Sequence, residues 1–216
     1  MDQKRQEPIR LGIIVASVRE GRVAPVVANW FTETVRRRTV SDGADDDGTT
    51  GPDTAGSDTT GSDTTEFDVD IIDLVEVPLP QELSGGSAVE VFTRRIDAAE
   101  AFVVITSEYN HGYPAALKTA IDSVKREWRA KPVGFVSYGG LSGGLRAVEQ
   151  LRQVVVEVHM VPVRESVSFH RVKYAFASDG TTSDGAAIDS AERMLDQLAW
   201  WAATIRAGRD LAPYPG

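Results

Sequence analysis

The sequence predicts an α/β fold, a doubly wound sheet of five parallel strands in the order 2-1-3-4-5 with helices on both faces. The main observation is that five short apolar segments alternate along the chain with five longer segments of helical spacing. The segments at 9–16 and 101–106 are almost continuously apolar, which is typical of strands buried on both faces. Right-handed crossovers leave few topologies for such a chain, and this strand order is the one we expect.

The predicted strands differ in how much of their surface they bury. The second strand, FDVDIIDL, alternates apolar and polar residues, as a strand near the edge of a sheet does. The first and third strands lack this alternation, and we place them in the interior of the sheet. The five predicted strands are 9–16, 67–74, 101–106, 132–137 and 160–168.

The predicted helices repeat apolar residues three and four positions apart. In the first helix, Val26, Trp30 and Phe31 share one side. The last helix carries Trp200 and Trp201 in succession, and because neighbours cannot both face the core, we expect one to be partly exposed. A subunit contact is the alternative for the exposed ring. The five predicted helices are 25–38, 89–99, 113–128, 144–158 and 186–207.

One acidic segment interrupts this alternation. Residues 41–66 read SDGADDDGTTGPDTAGSDTTGSDTTE, with seven Asp, one Glu and no Lys or Arg. This segment has almost no apolar content to offset the entropy of ordering it, so we predict a disordered insertion. A salt-adapted surface and a docking element are the alternatives. The rest of the chain is nearly neutral, and we predict a single domain over 1–216.

Composition excludes several classes of protein. The 216 residues include no Cys, which rules out disulfides, thiolate zinc sites, iron–sulfur clusters and thiol catalysis. Three His leave little for a metal site, and the net charge of −9 argues against nucleic acid as a partner. No apolar run is long enough to span a membrane, and the first ten residues do not resemble an export signal. We therefore expect a cytoplasmic protein without a membrane span.

The loop after the first strand has the chemistry of a phosphate site. It reads ASVREGR and leads directly into a helix, whose first amide groups attract anions. Ser17 adds a hydroxyl, and Arg19 and Arg22 add positive charge suited to phosphate. The loop matches neither the dinucleotide fingerprint nor the nucleotide-triphosphate loop. A plain polar loop with solvated arginines is the alternative.

Two further loops follow neighbouring strands of the predicted sheet. TSEYNHGYP, after the third strand, offers the rings of Tyr109 and Tyr113 and the polar groups of Asn110 and His111, which suit a planar heteroaromatic ligand. YGGLSGGL, after the fourth strand, holds four glycines, which allow the backbone to approach the edge of a flat ligand. The alternatives to ligand binding are that His111 is an ordinary surface side chain, that Glu108 forms a salt bridge and that the glycine-rich segment is a flexible turn.

The three loops together carry a resemblance to a known family. The segments ASVREGRVAPVVANWF, TSEYNHGYPAALKTAID and VSYGGLSGGLRAVEQLR resemble the NADPH-dependent FMN reductases, a family with a flavodoxin-like fold that includes quinone, azo-dye and chromate reductases. The resemblance covers about 9–167, apart from the acidic insertion. It departs from the family at Ala16, where many members carry Gly.

The resemblance implies a role for each site residue. Ser17, Arg19 and Arg22 would hold the FMN phosphate with the amides of Val23 and Ala24. Pro78 and Leu79, after the second strand, would pack near the ribityl chain and the ring. The residues implied to line the flavin ring, mostly through backbone groups, are Glu108, Tyr109, Asn110 and His111. The residues implied to cover the pyrimidine edge are Tyr138, Gly139, Gly140, Ser142 and Gly143.

The activity that the resemblance implies is hydride transfer from NADPH or NADH to flavin N5. The electrons would pass to a quinone-like, azo, metal-oxyanion or free-flavin acceptor, with no catalytic side chain and no metal. The resemblance also implies a homodimer or homotetramer. A flavodoxin-type electron carrier and a flavin-binding sensor without nicotinamide turnover are the alternatives.

Overall fold

The structure, a computed structural model, describes residues 7–40 and 66–216. Its strands are β1 Ile9–Val15, β2 Phe67–Asp73, β3 Ala101–Ser107, β4 Pro132–Tyr138 and β5 Val161–Phe169. All are parallel and lie in one sheet in the order β2-β1-β3-β4-β5, so the predicted fold class and strand order are confirmed. The helices are α1 Ala24–Val40, α2 Ser87–Ala98, α3 Ala115–Ser123, α4 Leu145–Glu157 and α5 Gly185–Leu211.

The sheet separates two apolar cores, because successive strand residues point to opposite faces. Ile13 packs in the core beneath α1 and α5, and its neighbour Ile14 packs in the core beneath α2, α3 and α4. Phe31 and Leu198 fill the first core from their helices, and Leu117 helps to fill the second. Burial on both faces explains why β1 and β3 are almost entirely apolar.

The third helix ends earlier than the sequence predicts. The predicted range was 113–128, but α3 stops at Ser123, and Val124 is extended at φ −134° and ψ 157°. A short 3-10 turn at Arg126–Trp128 then buries Trp128 against the rings of Phe92 and Phe102, with centroid separations of 6.1 and 5.1 Å. Burying the indole stabilises this bend more than a continued helix would, since a large aromatic side chain has most to gain from burial.

The paired tryptophans of α5 behave as predicted. Trp200 is 61% exposed, whereas Trp201 is half-buried and packs against the core beneath α1 and α5. Within the ranges 7–40 and 66–216, no helix combines the length and apolarity needed to cross a membrane.

The acidic insertion predicted at 41–66 lies outside the described residues except for Glu66. The Glu66 carbonyl accepts a 2.8 Å hydrogen bond from the amide of Ile9 at the start of β1. The chain therefore re-enters the sheet at the amino ends of the strands, at the edge opposite the loops that carry the predicted site.

Candidate functional site

The three loops selected from the sequence lie side by side. The strands β1, β3 and β4 are neighbours, so their carboxyl ends meet at one edge, at the point where the strand order reverses. The Ser17 and Tyr109 hydroxyls lie 2.6 Å apart, which joins the first loop to the second. The amide of Glu108 donates to the Tyr138 carbonyl at 3.2 Å, which joins the second to the third.

The loop after β1 keeps most of the predicted anion-binding groups at the entrance to α1. Ser17 is buried, and the Arg19 guanidinium lies 5.2 Å from the centre of the Tyr109 ring. The first turn of α1 leaves the amides of Val23 and Ala24 without partners inside the helix, as at any helix start. These groups form a small site of positive potential.

Arg22 occupies a different position from Arg19. Its guanidinium donates two hydrogen bonds of 2.6 Å to the carboxylate of Asp73, the last residue of β2. It also donates to the Ser17 carbonyl at 2.7 Å. Sequence analysis missed Asp73, although its place at the carboxyl end of the strand beside β1 was a usable signal.

The loop after β3 turns sharply. The amide and carbonyl of Tyr109 exchange hydrogen bonds with those of Gly112, at 2.8 and 3.2 Å. The two residues between them, Asn110 and His111, have φ values of 50° and 77°, in the left-handed region that few side chains adopt. Such strain persists only where the surroundings impose it, and it is common at binding sites.

Glu108 connects this turn to the glycine-rich loop. Its carboxylate accepts a 2.6 Å hydrogen bond from Ser142 and forms a 2.6 Å ion pair with Arg146. Burial raises the pKa of Glu108, but the hydrogen bonds from Ser142 and Arg146 outweigh it and hold this pKa below its ordinary value. Glu108 is therefore a carboxylate at neutral pH, and the salt-bridged alternative for this residue is the one observed.

Two residues of α4 that sequence analysis missed hold the turn from outside. Arg146 approaches the His111 ring, with 3.2 Å between its Nη1 atom and Nδ1 of the imidazole. Gln150 donates to the His111 carbonyl at 2.9 Å. Both lie in the first two turns of the helix that follows the glycine-rich loop, and this position was the available signal.

The glycine-rich loop after β4 is tied down on one side and open on the other. The Gly139 and Gly140 carbonyls accept hydrogen bonds from Val172 and Arg171 at 3.1 and 2.7 Å. Gly143 and Gly144 have φ values of 61° and 87°, which only glycine adopts without strain. A Cβ added at Gly140 would meet no atom within 4 Å, so a ligand edge has room there.

Tyr138 lies in the interior. It is 4% exposed and packs in the core beneath α1 and α5, so its ring is part of the floor of the site. Burial raises the pKa of Tyr138, and the nearby hydroxyls of Ser17 and Ser107 oppose this. Among the described residues, the buried hydroxyls of Tyr138 and Ser107 lack hydrogen bonds of normal geometry.

Pro78 and Leu79 lie on the far side of the first loop. They line an open cavity of about 310 Å³ between the β2–α2 connection and α3, together with Val18, Val77 and Ala116. The cavity is mostly apolar and adjoins the loop after β1 through Val18.

Within the described parts of the chain, no cluster of His, Asp and Glu could hold a metal ion.

Comparison with known proteins identifies the family. The family model described as NADPH-dependent FMN reductase matches residues 9–173. The chain belongs to this family. An NAD(P)H-dependent FMN reductase of Schizosaccharomyces pombe is 30% identical over 174 residues, covering 74% of each chain. A probable NADPH:quinone oxidoreductase of Oryza sativa is 30% identical over 149 residues, covering 64% of this chain and 73% of that protein.

A solved structure agrees on the fold. FerB of Paracoccus denitrificans, a flavoenzyme described as an NAD(P)H:(acceptor) oxidoreductase, superimposes with a TM-score of 0.64 at 19% identity, covering 91% of this chain and 98% of its own. Membership in the NADPH-dependent FMN reductase family makes this chain an oxidoreductase that uses FMN as cofactor and NAD(P)H as electron donor. The carrier and sensor alternatives are not favoured.

The residues at the strand ends fit FMN. The helix start with Arg19 suits a phosphate, and the space at Gly140 admits a flat ring edge. The open apolar cavity beside Pro78 suits the less polar part of the cofactor.

Proposed function

We propose that this reductase binds FMN across the three loops at the carboxyl ends of β1, β3 and β4 and passes electrons to quinone-like acceptors. The single observation that carries the placement is the contact between the loops, through the Ser17–Tyr109 hydroxyl pair and the Glu108–Ser142 hydrogen bond. These contacts assemble a hydroxyl-lined, positively charged and glycine-walled surface from separate parts of the chain.

In this proposal the phosphate lies at the start of α1. Ser17, Arg19 and the amides of Val23 and Ala24 supply the donors. The remaining residues that we assign to the ribityl chain and ring are Pro78, Leu79, Glu108, Tyr109, Asn110, His111, Gly139, Gly140, Ser142 and Gly143. Tyr138 supports them from beneath, since its ring is buried.

The chain itself supplies binding, orientation and electrostatics. FMN, when bound, supplies the capacity to accept a hydride and to release the electrons again. Backbone amides in the left-handed turn and in the glycine-rich loop would stabilise negative charge on the ring without moving. Ser142 and Arg146 hold Glu108 as a carboxylate, so this residue has no proton to donate to the flavin or to the acceptor.

Quinone-like compounds are the acceptors we favour, with azo dyes, metal oxyanions and free flavin as the other candidates. A planar, weakly polar acceptor matches the apolar rim, where the Leu141 side chain is 84% exposed and Leu145 is 47% exposed. The relative from Oryza sativa, named as a quinone oxidoreductase, supports the same choice.

We also propose that the protein acts as a cytoplasmic homodimer, with a homotetramer as the alternative assembly. Exposed apolar side chains at the rim of the site support association of two copies there, because a large apolar side chain is stabilised when a partner covers it. Light scattering at several protein concentrations tests this, and a mass equal to one chain throughout would contradict it.

Steady-state kinetics test the acceptor. NADPH would be varied at several fixed concentrations of a benzoquinone, an azo dye, chromate and free FMN. We expect parallel double-reciprocal lines, since donor and acceptor use the same site in turn, and the highest kcat/KM with the quinone. A higher kcat/KM with free FMN than with any quinone would contradict the acceptor proposal.

A further inference from the structure

Arg22, in the phosphate loop that follows β1 (residues 17–22), already forms an ion pair with Asp73. The Arg22 and Asp73 side chains are each only 16% exposed, and their bidentate contact has two N–O distances of 2.6 Å. Paired hydrogen bonds of this kind fix the plane of both groups as well as their separation. The side-chain hydrogen bond with Asp73 is also the main cause that raises the pKa of Arg22.

The same guanidinium closes the loop on itself. Its Nη1 atom donates to the Ser17 carbonyl five residues earlier, at 2.7 Å. Gly21, at a φ of 64°, turns the chain directly before Arg22. Arg22 thus links both ends of the loop to the end of β2, where Asp73 also accepts a 3.1 Å hydrogen bond from the amide of Val75.

Arg19 and Arg22 differ in the charges that surround them. The Asp73 carboxylate neutralises Arg22, whereas the Arg19 guanidinium lies over the Tyr109 ring. A phosphate placed on Arg22 would compete with Asp73 and would bring two anions together, which is costly. The net positive charge for an anion therefore comes from Arg19 and from the start of α1.

We propose that Asp73 is a positioning residue for the phosphate loop: it holds Arg22, and Arg22 holds the loop in its anion-binding shape without contacting the phosphate. This assignment replaces the phosphate contact that family resemblance implies for Arg22. It rests on the proposed location of FMN and adds a residue from a strand that none of the three sequence motifs includes.

The experiment compares two flavins that differ only in the phosphate. The full-length protein, freed of flavin, would be titrated with FMN and with riboflavin by fluorescence quenching. Asp73→Asn should weaken FMN binding by roughly tenfold or more and leave riboflavin binding nearly unchanged, because only the phosphate uses the loop. Arg22→Ala should have the same effect, and the double variant should be no weaker than either single variant.

Direct phosphate binding by Arg22 predicts a different result. Asp73→Asn would then free Arg22 and remove a nearby anion, so FMN would bind as tightly as before or more tightly, while Arg22→Ala alone would weaken it. That result would overturn the proposal. Retained riboflavin affinity shows in each variant that the fold is intact.

A matched control exists on the same strand. Asp70 forms a similar two-point contact with Arg95, at 2.5 and 2.9 Å, but lies away from the loop and is 49% exposed. Asp70→Asn should leave the ratio of FMN to riboflavin affinity unchanged. If the unmodified protein binds neither flavin, the proposed function fails. If it prefers FMN and Asp73→Asn keeps that preference, only the role of Asp73 fails.

Discussion

The Ser142 hydroxyl donates a 2.6 Å hydrogen bond to the carboxylate of Glu108, and this contact joins the two loops that form the ring-binding side of the site. The Glu108 side chain is 4% exposed, and Arg146 completes its coordination from the first turn of α4. A buried charge held in this way is stable only while both partners remain.

Replacing this carboxylate should loosen the site. Glu108→Gln removes the negative charge and leaves Arg146 without its ion-pair partner, so we expect a loss of about 1–3 kcal/mol in the free energy of unfolding. Urea denaturation measures it. The control is Glu33→Gln, which breaks an exposed pair with Arg36 and should cost less than about 0.5 kcal/mol. Equal losses in the two variants would contradict this stabilising role of Glu108.

The lowered pKa of Glu108 predicts that the free energy of unfolding depends on pH in the acid range. Because the folded protein holds the pKa of Glu108 below its ordinary value, the unfolded chain binds its proton first as pH falls. The contribution of Glu108 is therefore complete above the unfolded pKa and is lost as pH falls through the folded pKa. Unfolding curves between about pH 6 and 3 should converge for the native protein and Glu108→Gln. A constant difference over this range would contradict the assignment.

Lys131 predicts a second pH dependence of the same sign, in base. It is 4% exposed and caps α2 by donating to the carbonyls of Ile96 and Asp97, at 2.7 and 2.9 Å. Burial lowers its pKa to about 8, with Arg209 and Arg10 acting in the same direction and Asp97 opposing. Between that value and about 10.4 the unfolded chain binds more protons, so stability should rise with pH, by about 3 kcal/mol at most.

The measurement for Lys131 compares pH profiles of stability. Lys131→Met should abolish the rise between pH 8 and 10. Lys118→Met should preserve it, because the exposed Lys118 pairs with Asp122, which raises the Lys118 pKa out of that window. Identical slopes in the native protein and Lys131→Met would show that the buried amine titrates normally.

Two glycines of the same loop, Gly140 and Gly144, should respond differently to an added methyl group. Gly144 has a φ of 87°, and an added Cβ would lie 2.7 Å from the Cβ of Ser137 and 2.9 Å from the amide of Tyr138. Gly144→Ala should therefore cost about 2 kcal/mol or more in unfolding free energy. Gly140→Ala has open space and should cost little.

The second variant also tests the open side of the glycine loop. If a flavin edge lies at Gly140, Gly140→Ala should weaken flavin binding several-fold while the thermal midpoint of the flavin-free protein stays the same. Unchanged flavin affinity would place the ring elsewhere. An equal drop in midpoint for both alanine variants would contradict the loop geometry.

The sequence predicts the fold of this protein well because hydrophobic periodicity is a local signal. Strands buried on both faces, such as β1 and β3, need continuous apolar runs, and the order of strands then places three polar loops at one edge. The loops themselves were recognisable because glycine, Ser17 and Arg19 mark backbone and charge requirements that do not depend on distant residues.

The parts that were missed depend on contacts between distant residues. The pairing of Arg22 with Asp73 joins residues from different elements, and no local pattern specifies it. Arg146 reaches Glu108 only because the sheet places α4 beside the β3 loop. The end of α3 is set by the burial of Trp128, a tertiary effect that overrides helical periodicity.

The most direct test of the central claim is the visible spectrum of the purified protein, followed by addition of NADPH or NADH without oxygen. We expect a yellow protein whose flavin bands disappear on addition and return when a quinone is added. A protein that stays yellow with both nucleotides would contradict nicotinamide-dependent reduction. A colourless protein that does not bind added FMN would contradict the flavin site itself.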